Sequence, residues 1–156
     1  MAPAAGVLRV IKMLHHNDLK IQERESQGVV ILDLHGKVEM GKGDLALRDF
    51  VQSLLDQGNS KLTMNLAAVS EMDSAGVGLL LFLSREYQKA SGKLVLFHVA
   101  HSLGEVYELA RLEAVIEIYR DELDAVNSFF PDRTPPRYDI LDYVESQTHE
   151  HENHKK

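Results

Sequence analysis

Apolar and polar positions change period several times along the chain, and each change marks an element. Leu19 and Ile21 alternate with polar residues, Glu25-Ser26-Gln27-Gly28 offers a turn, and Val29–Leu34 is a β-branched apolar run. That pattern predicts a hairpin entering a buried strand. After Gly43 the period lengthens: Leu47, Phe50, Val51, Leu54 and Leu55 form one stripe of an amphipathic helix, which Gly58-Asn59 ends. Leu62–Leu66 reads as the next strand and Ala67–Asp73 as a connection. An apolar helix is predicted from about Ser74 to Ser91, with Gly92 in the favoured place beyond its end. Leu94–Val99 reads as a strand. Ser102 and Glu105 have capping-box spacing before a short helix through Arg111. Val115–Tyr119 reads as a last strand, and Asp121–Phe130 as a last helix with Leu123, Val126 and Phe130 on one face.

The order ββαβαβαβα predicts an α/β fold: one mixed, mostly parallel sheet of four to five strands, packed by about four helices. Residues 19–130 make up that domain. Residues 1–18 read as an N-terminal extension, open between a short helix, a strand docked on the body or on another copy, and an unstructured leader. Residues 131–156 read as a partly disordered tail, with Pro131, Pro135 and Pro136 at its start and a polar end from His149 to Lys156. Tyr138, Ile140, Leu141, Tyr143 and Val144 are positioned to anchor its middle.

Composition narrows the function. The chain has 156 residues, room for one well-formed core. It has no cysteine, which excludes disulfides, thiolate metal sites and cysteine nucleophiles and fits a reducing compartment. A formal net charge of −7 without clustered Lys and Arg argues against nucleic-acid binding. No apolar stretch is long enough to span a bilayer, and Arg9 and Lys12 interrupt the apolar start, so membrane insertion and a secretory leader are not expected. The expected location is the cytoplasm.

Four constellations carry candidate chemistry. Gly36-Lys37-Val38-Glu39-Met40-Gly41-Lys42-Gly43 matches G-x-x-x-x-G-K between a strand and a helix. A phosphate-binding loop needs Ser or Thr next, to ligate magnesium, and Gly43 stands there. Glu39 would also oppose a triphosphate, so an ordinary connection is the stronger reading. His149, His151 and His154 with Glu150 and Glu152 could share a metal, but a tail of this composition is more often solvated. His35, His98 and His101 are too scattered for catalysis. No spacing brings paired carboxylates or a nucleophile triad together, and Ser74 is not in a G-x-S-x-G elbow. We therefore expect no enzyme activity, cofactor or metal.

The fourth is Met72-Asp73-Ser74-Ala75-Gly76-Val77-Gly78, directly before the most apolar helix. Asp or Ser there is ordinary N-cap chemistry, contributing about 1 kcal/mol. Gly76 and Gly78 cut against so plain a reading. Each costs up to about 1 kcal/mol against alanine in a helix, and a pair of glycines leaves backbone bare beside Ser74.

With these residues in view the chain resembles the STAS family, the domain of sulfate transporters and bacterial anti-sigma factor antagonists. The resemblance covers about residues 19–130. It is carried by Leu62-Thr63-Met64-Asn65-Leu66 followed by Val69 to Gly78, similar to the family's M-D-S-[ST]-G-[LV]-G motif. Leu34-His35-Gly36 with Glu39, Gly92-Lys93-Leu94-Val95 and Leu109-Ala110-Arg111-Leu112 add to it. The resemblance implies a non-catalytic, protein-binding switch of the anti-sigma factor antagonist type. Its unphosphorylated form binds an ATP-using anti-sigma factor that is also a serine kinase. Phosphorylation of the serine after the motif aspartate, here Ser74, weakens binding until a phosphatase restores it. The implied partner surface is Glu39, Asp73, Ser74, Ala75, Gly76, Val77 and Gly78, and both monomer and homodimer stay open. Ala75 replaces the family's frequent second hydroxyl, leaving Ser74 as the motif's single acceptor. The alternative implied by the same family is a constitutive scaffold, or a subunit of a transport or stress-signalling complex, with Ser74 only a cap.

Overall fold

The computed structural model describes residues 10–16, 18–100, 103 and 106–138. Among these described residues ten elements follow in the order βββαβαβαβα: β1 (Val10–His16), β2 (Leu19–Ser26), β3 (Val29–Val38), α1 (Asp44–Asp56), β4 (Lys61–Met72), α2 (Ser74–Lys89), β5 (Lys93–Phe97), α3 (Val106–Val115), β6 (Ile118–Tyr119) and α4 (Glu122–Asn127). The strands form one six-stranded sheet in sequence order, antiparallel across β1–β2–β3 and parallel from β3 to β6. The α/β class, the mixed sheet and the four helices follow the sequence reading, with one strand more than expected. That strand is β1, built from residues whose conformation the sequence left open.

The β2–β3 hairpin turns on Gln27 (φ 54°) and Gly28 (φ 81°). Both lie in the left-handed region that two-residue hairpin turns require. From there the alternation of β3 sorts side chains to two faces. Val30, Leu32 and Leu34 join Leu47 and Val51 of α1, Leu80 and Leu83 of α2, and Leu109 and Leu112 of α3 in the main core. Val29 and Ile31 face the opposite side, with Val95, Phe97 and Tyr119, where α4 supplies Ala125 and Val126. Each fully buried aliphatic side chain of this kind contributes roughly 1.5–3 kcal/mol.

Several boundaries differ from the sequence reading. Ala67–Met72, expected as a connection, continues β4: Gly36, Lys37 and Val38 of β3 pair with Val69, Glu71 and Met72 across two register irregularities. Val69 and Met72 are buried, and this holds the strand on the sheet. Val115, expected as the start of the last strand, ends α3 instead; Ile116 and Glu117 form the connection, and β6 keeps only Ile118 and Tyr119. α4 ends at Asn127, with Leu123 exposed rather than sharing the buried face of Val126. After α2 the left-handed residue is Ser91 (φ 60°), not Gly92. Gly92 is needed for a different reason: a Cβ there would lie 2.6 Å from the Ser60 carbonyl oxygen. The Ser102/Glu105 capping box, His101, Ile140 to Val144 and the histidines of the tail lie outside the described residues.

Two polar clusters tie the ends of the sheet. The Arg24 guanidinium forks onto Asp33 (2.6 and 2.9 Å) and reaches Glu122 of α4 (2.5 Å), while Asn65 donates to Asp33 (2.8 Å). Burial pushes the Asp33 carboxyl up, but the hydrogen bonds from Arg24 and Asn65 outweigh it and hold the group below its ordinary range. At the β6 edge, Tyr138 N–H donates to the Ile118 carbonyl (2.9 Å), and Arg137 pairs with Glu117 (2.6 Å). Tyr138 thus packs against the core, the docking role the sequence offered it.

Candidate functional site

The candidate site forms where β4 gives way to α2, beside the loop that follows β3. Asp73 leaves the strand in an extended conformation (φ −94°, ψ −177°), and α2 begins at Ser74. One Asp73 carboxylate oxygen, Oδ1, accepts from the Gly76 N–H (2.9 Å). The other, Oδ2, accepts from the Met40 N–H (3.1 Å). The aspartate therefore caps α2 and at the same time ties the loop 39–43 to it.

This division of labour decides what Ser74 can do. The N-cap is Asp73; Ser74 is the first helical residue, exposed, and its hydroxyl has no hydrogen-bond partner among the described residues. The first N–H groups of a helix lack intrahelical acceptors. Asp73 takes that of Gly76, and Ser74 stands at the favourable end of the helix dipole.

The two motif glycines separate on inspection. Gly76 is buried, and a Cβ there would lie 2.2 Å from the Val38 carbonyl oxygen and 2.7 Å from Met72 Cγ. Its role is close packing of α2 against the end of β3, rather than baring backbone as its place in the sequence suggested. A Cβ on Gly78 would meet nothing within 4 Å. Its missing side chain does leave the surface bare, one turn below Ser74. Val77 is buried in the core, while Glu39, Asp73 and Ala75 are half-buried around the serine.

Two residues that the sequence reading passed over belong to the same surface. Met40, at the loop tip, is 73% exposed and is held by the Asp73 hydrogen bond to its N–H. Phe82 is 44% exposed and continues the stripe Ser74, Gly78, Phe82 at four-residue spacing. A methionine between polar residues and glycines was the available signal for the first. For the second it was an aromatic residue out of step with the buried face of its helix.

The phosphate-loop reading fails on geometry. Gly36 lies within β3, so only residues 39–43 form a loop. Its amides are already engaged: Met40 N–H by Asp73, Gly41 N–H by Asp44 Oδ1 (3.0 Å), and Lys42 N–H by the Glu39 carbonyl (2.9 Å). Two of these acceptors are carboxylates, which stand where a nucleotide phosphate would need to be. His35 and His98 are both exposed on the surface. No group of three metal-ligating side chains occurs among the described residues.

Comparison with known proteins agrees with this architecture. The family model of the STAS domain matches residues 20–125, most of the chain. The chain belongs to the STAS domain family. The anti-sigma F factor antagonist of Paenibacillus polymyxa is 20% identical over 109 residues, 70% of this chain and 93% of that protein. An anti-sigma factor antagonist from Mycobacterium paratuberculosis is 19% identical, with a TM-score of 0.63 over 74% of this STAS protein and 97% of its own chain. The Bacillus cell fate determinant SpoIIAA in its phosphorylated form is 22% identical, with a TM-score of 0.54 over 70% and 98% of the two chains. At these identities the structural likeness establishes the fold. Among the described residues of this family member, no helix is long and apolar enough to cross a membrane.

Proposed function

We propose that this protein is an anti-sigma factor antagonist: a non-catalytic, cytoplasmic binding partner of a serine-kinase anti-sigma factor, released when the kinase phosphorylates Ser74. The observation that carries the reading is the freedom of the Ser74 hydroxyl. A serine that only capped α2 would spend its oxygen on a first-turn N–H; here Asp73 does that work.

The same geometry favours a switch over a structural modification. A phosphoserine carries about −1.5 to −2 charges and three acceptor oxygens. At the first position of α2 it lies at the positive end of the helix dipole, beside the N–H groups of the first turn, so the fold can hold it. A partner seated on Met40, Gly78 and Phe82 would instead confront new bulk and charge beside Asp73. Desolvation and like-charge repulsion then act on the complex alone. The likeness to an anti-sigma F factor antagonist, and to a Bacillus cell fate determinant known in a phosphorylated form, supports the reading.

Incubation of the full-length protein with a serine-kinase anti-sigma factor and magnesium-ATP, followed by phosphosite mapping, tests the proposal. A single phosphate on Ser74 is expected, and none on Ser74→Ala. Ser74→Asp should fold normally and bind the kinase more weakly than wild type. Phosphate placed elsewhere, with Ser74 unmodified, would overturn the proposal.

A further inference from the structure

We propose that Asp73 is a latch on the loop 39–43, and that a phosphate on Ser74 releases it within the free protein, before any partner is met. This regulation deepens the proposed switch and rests on Ser74 being its modified residue.

The loop has fixed stems and a tip with one distant tie. At its start Val38 is buried, and the close approach of its carbonyl to Gly76 holds α2 against the end of β3. At its end Gly43 is buried, and a Cβ there would lie 2.6 Å from Leu19 Cβ. Between the stems the hydrogen bonds of the tip among the described residues are mostly local. The Glu39 and Lys42 backbones bond one another (3.4 and 2.9 Å), and Gly41 N–H donates to Asp44 Oδ1 (3.0 Å). The exception is Met40 N–H, which donates across 33 residues to Asp73 Oδ2 (3.1 Å). The Met40 side chain is largely exposed, so its packing cannot substitute for that bond.

One carboxylate serves two N–H groups. Oδ1 accepts from Gly76 N–H (2.9 Å) while Oδ2 reaches the loop, so a turn of the Asp73 side chain gives up both bonds together. A phosphoserine next to Asp73 offers three acceptor oxygens and a higher charge to the same first-turn N–H groups. The start of a helix favours the stronger anion. The phosphate therefore takes over the capping of α2, and Asp73 turns away. The helix exchanges one acceptor for another. Met40 N–H, which belongs to the loop and not to the helix end, is left to water. Met40 then no longer stands in a fixed place on the surface that the proposed partner covers.

Full-length protein with phosphoserine genetically encoded at position 74, free of any kinase, tests the latch by amide hydrogen exchange read residue by residue in NMR spectra. Met40 should exchange about tenfold faster than in unmodified protein, the loss of one exposed hydrogen bond. Gly76 and the core of α2 should exchange no faster. In Asp73→Ala, Met40 should exchange fast already and phosphoserine should add nothing. Asp73→Asn, with one acceptor oxygen for two N–H groups, serves the same comparison if the alanine variant does not fold. Met40 exchange unchanged by phosphoserine would overturn the proposal, and so would an equal acceleration in the Asp73 variant. Kinase binding separates the latch from the switch. Phosphorylated protein that binds weakly with Met40 still protected keeps the switch and removes the latch. Fast Met40 exchange with undiminished binding keeps the latch and removes the switch.

Discussion

The two motif glycines make opposite predictions, although the sequence presents them as a pair. Gly76→Ala drives a methyl group against the Val38 carbonyl. It should destabilise the protein by about 1–3 kcal/mol, the usual range for overpacking, read as a lower urea midpoint. Gly78→Ala adds a methyl group in open space and improves helix propensity. It should stabilise by up to about 1 kcal/mol. Under the proposed function that gain is accompanied by weaker partner binding, because the added Cβ lies on the docking stripe beside Ser74. A glycine kept where alanine would be more stable is the residue-scale mark of a surface shaped for contact. Asp73→Ala removes acceptors from Gly76 and Met40 together. It should cost about 1–2 kcal/mol and speed exchange of the Met40 amide, a readout that loss of a simple cap would not move.

At the scale of elements, periodicity served well where one strong face meets one core. α1 reads directly from Leu47, Phe50, Val51 and Leu54, all of them buried. α2, the hairpin and the buried stretch of β3 were equally legible. The misreadings share a cause: they occur where tertiary pairing overrides a weak local pattern. Ala67–Met72 looks like a connection because only Val69 and Met72 are buried, but the end of β3 recruits it as strand. β1 carries no clean alternation, since every one of its residues but Leu14 is exposed and its pairing with β2 defines it. In the candidate site, the Asp73–Ser74 pair and its place before α2 were legible. Which of the two is the cap was not, and neither was the reach of Asp73 to Met40, 33 residues away.

For the whole molecule, carboxylates held in ion pairs give stability a dependence on pH. Asp33 and Glu117 are both held below their ordinary range: burial opposes ionisation, but Arg24 and Asn65 at the first, and Lys93 and Arg137 at the second, outweigh it. A depressed folded pKa contributes stability that is present above the unfolded value and is lost as pH falls through the folded one. The protein should therefore lose stability in acid, and Asp33→Asn should flatten that loss in a series of thermal melts. Glu23 has the opposite sign. Burial raises its pKa, with Lys12 only partly offsetting it, so its charged form costs stability at neutral pH. Glu23→Gln should raise the melting temperature at neutral pH, with the advantage vanishing as acid protonates the native glutamate. Neither cluster touches Ser74, so under the proposed function a charge added there leaves both clusters intact.

The most direct test of the account is a titration of one serine-kinase anti-sigma factor with the full-length protein, unmodified and phosphorylated on Ser74, each first shown to share the same circular-dichroism spectrum and melt. The account predicts folded protein in both cases and an affinity about a hundredfold or more lower for the phosphorylated form, a difference near 3 kcal/mol. Equal affinities of two equally folded forms would contradict it.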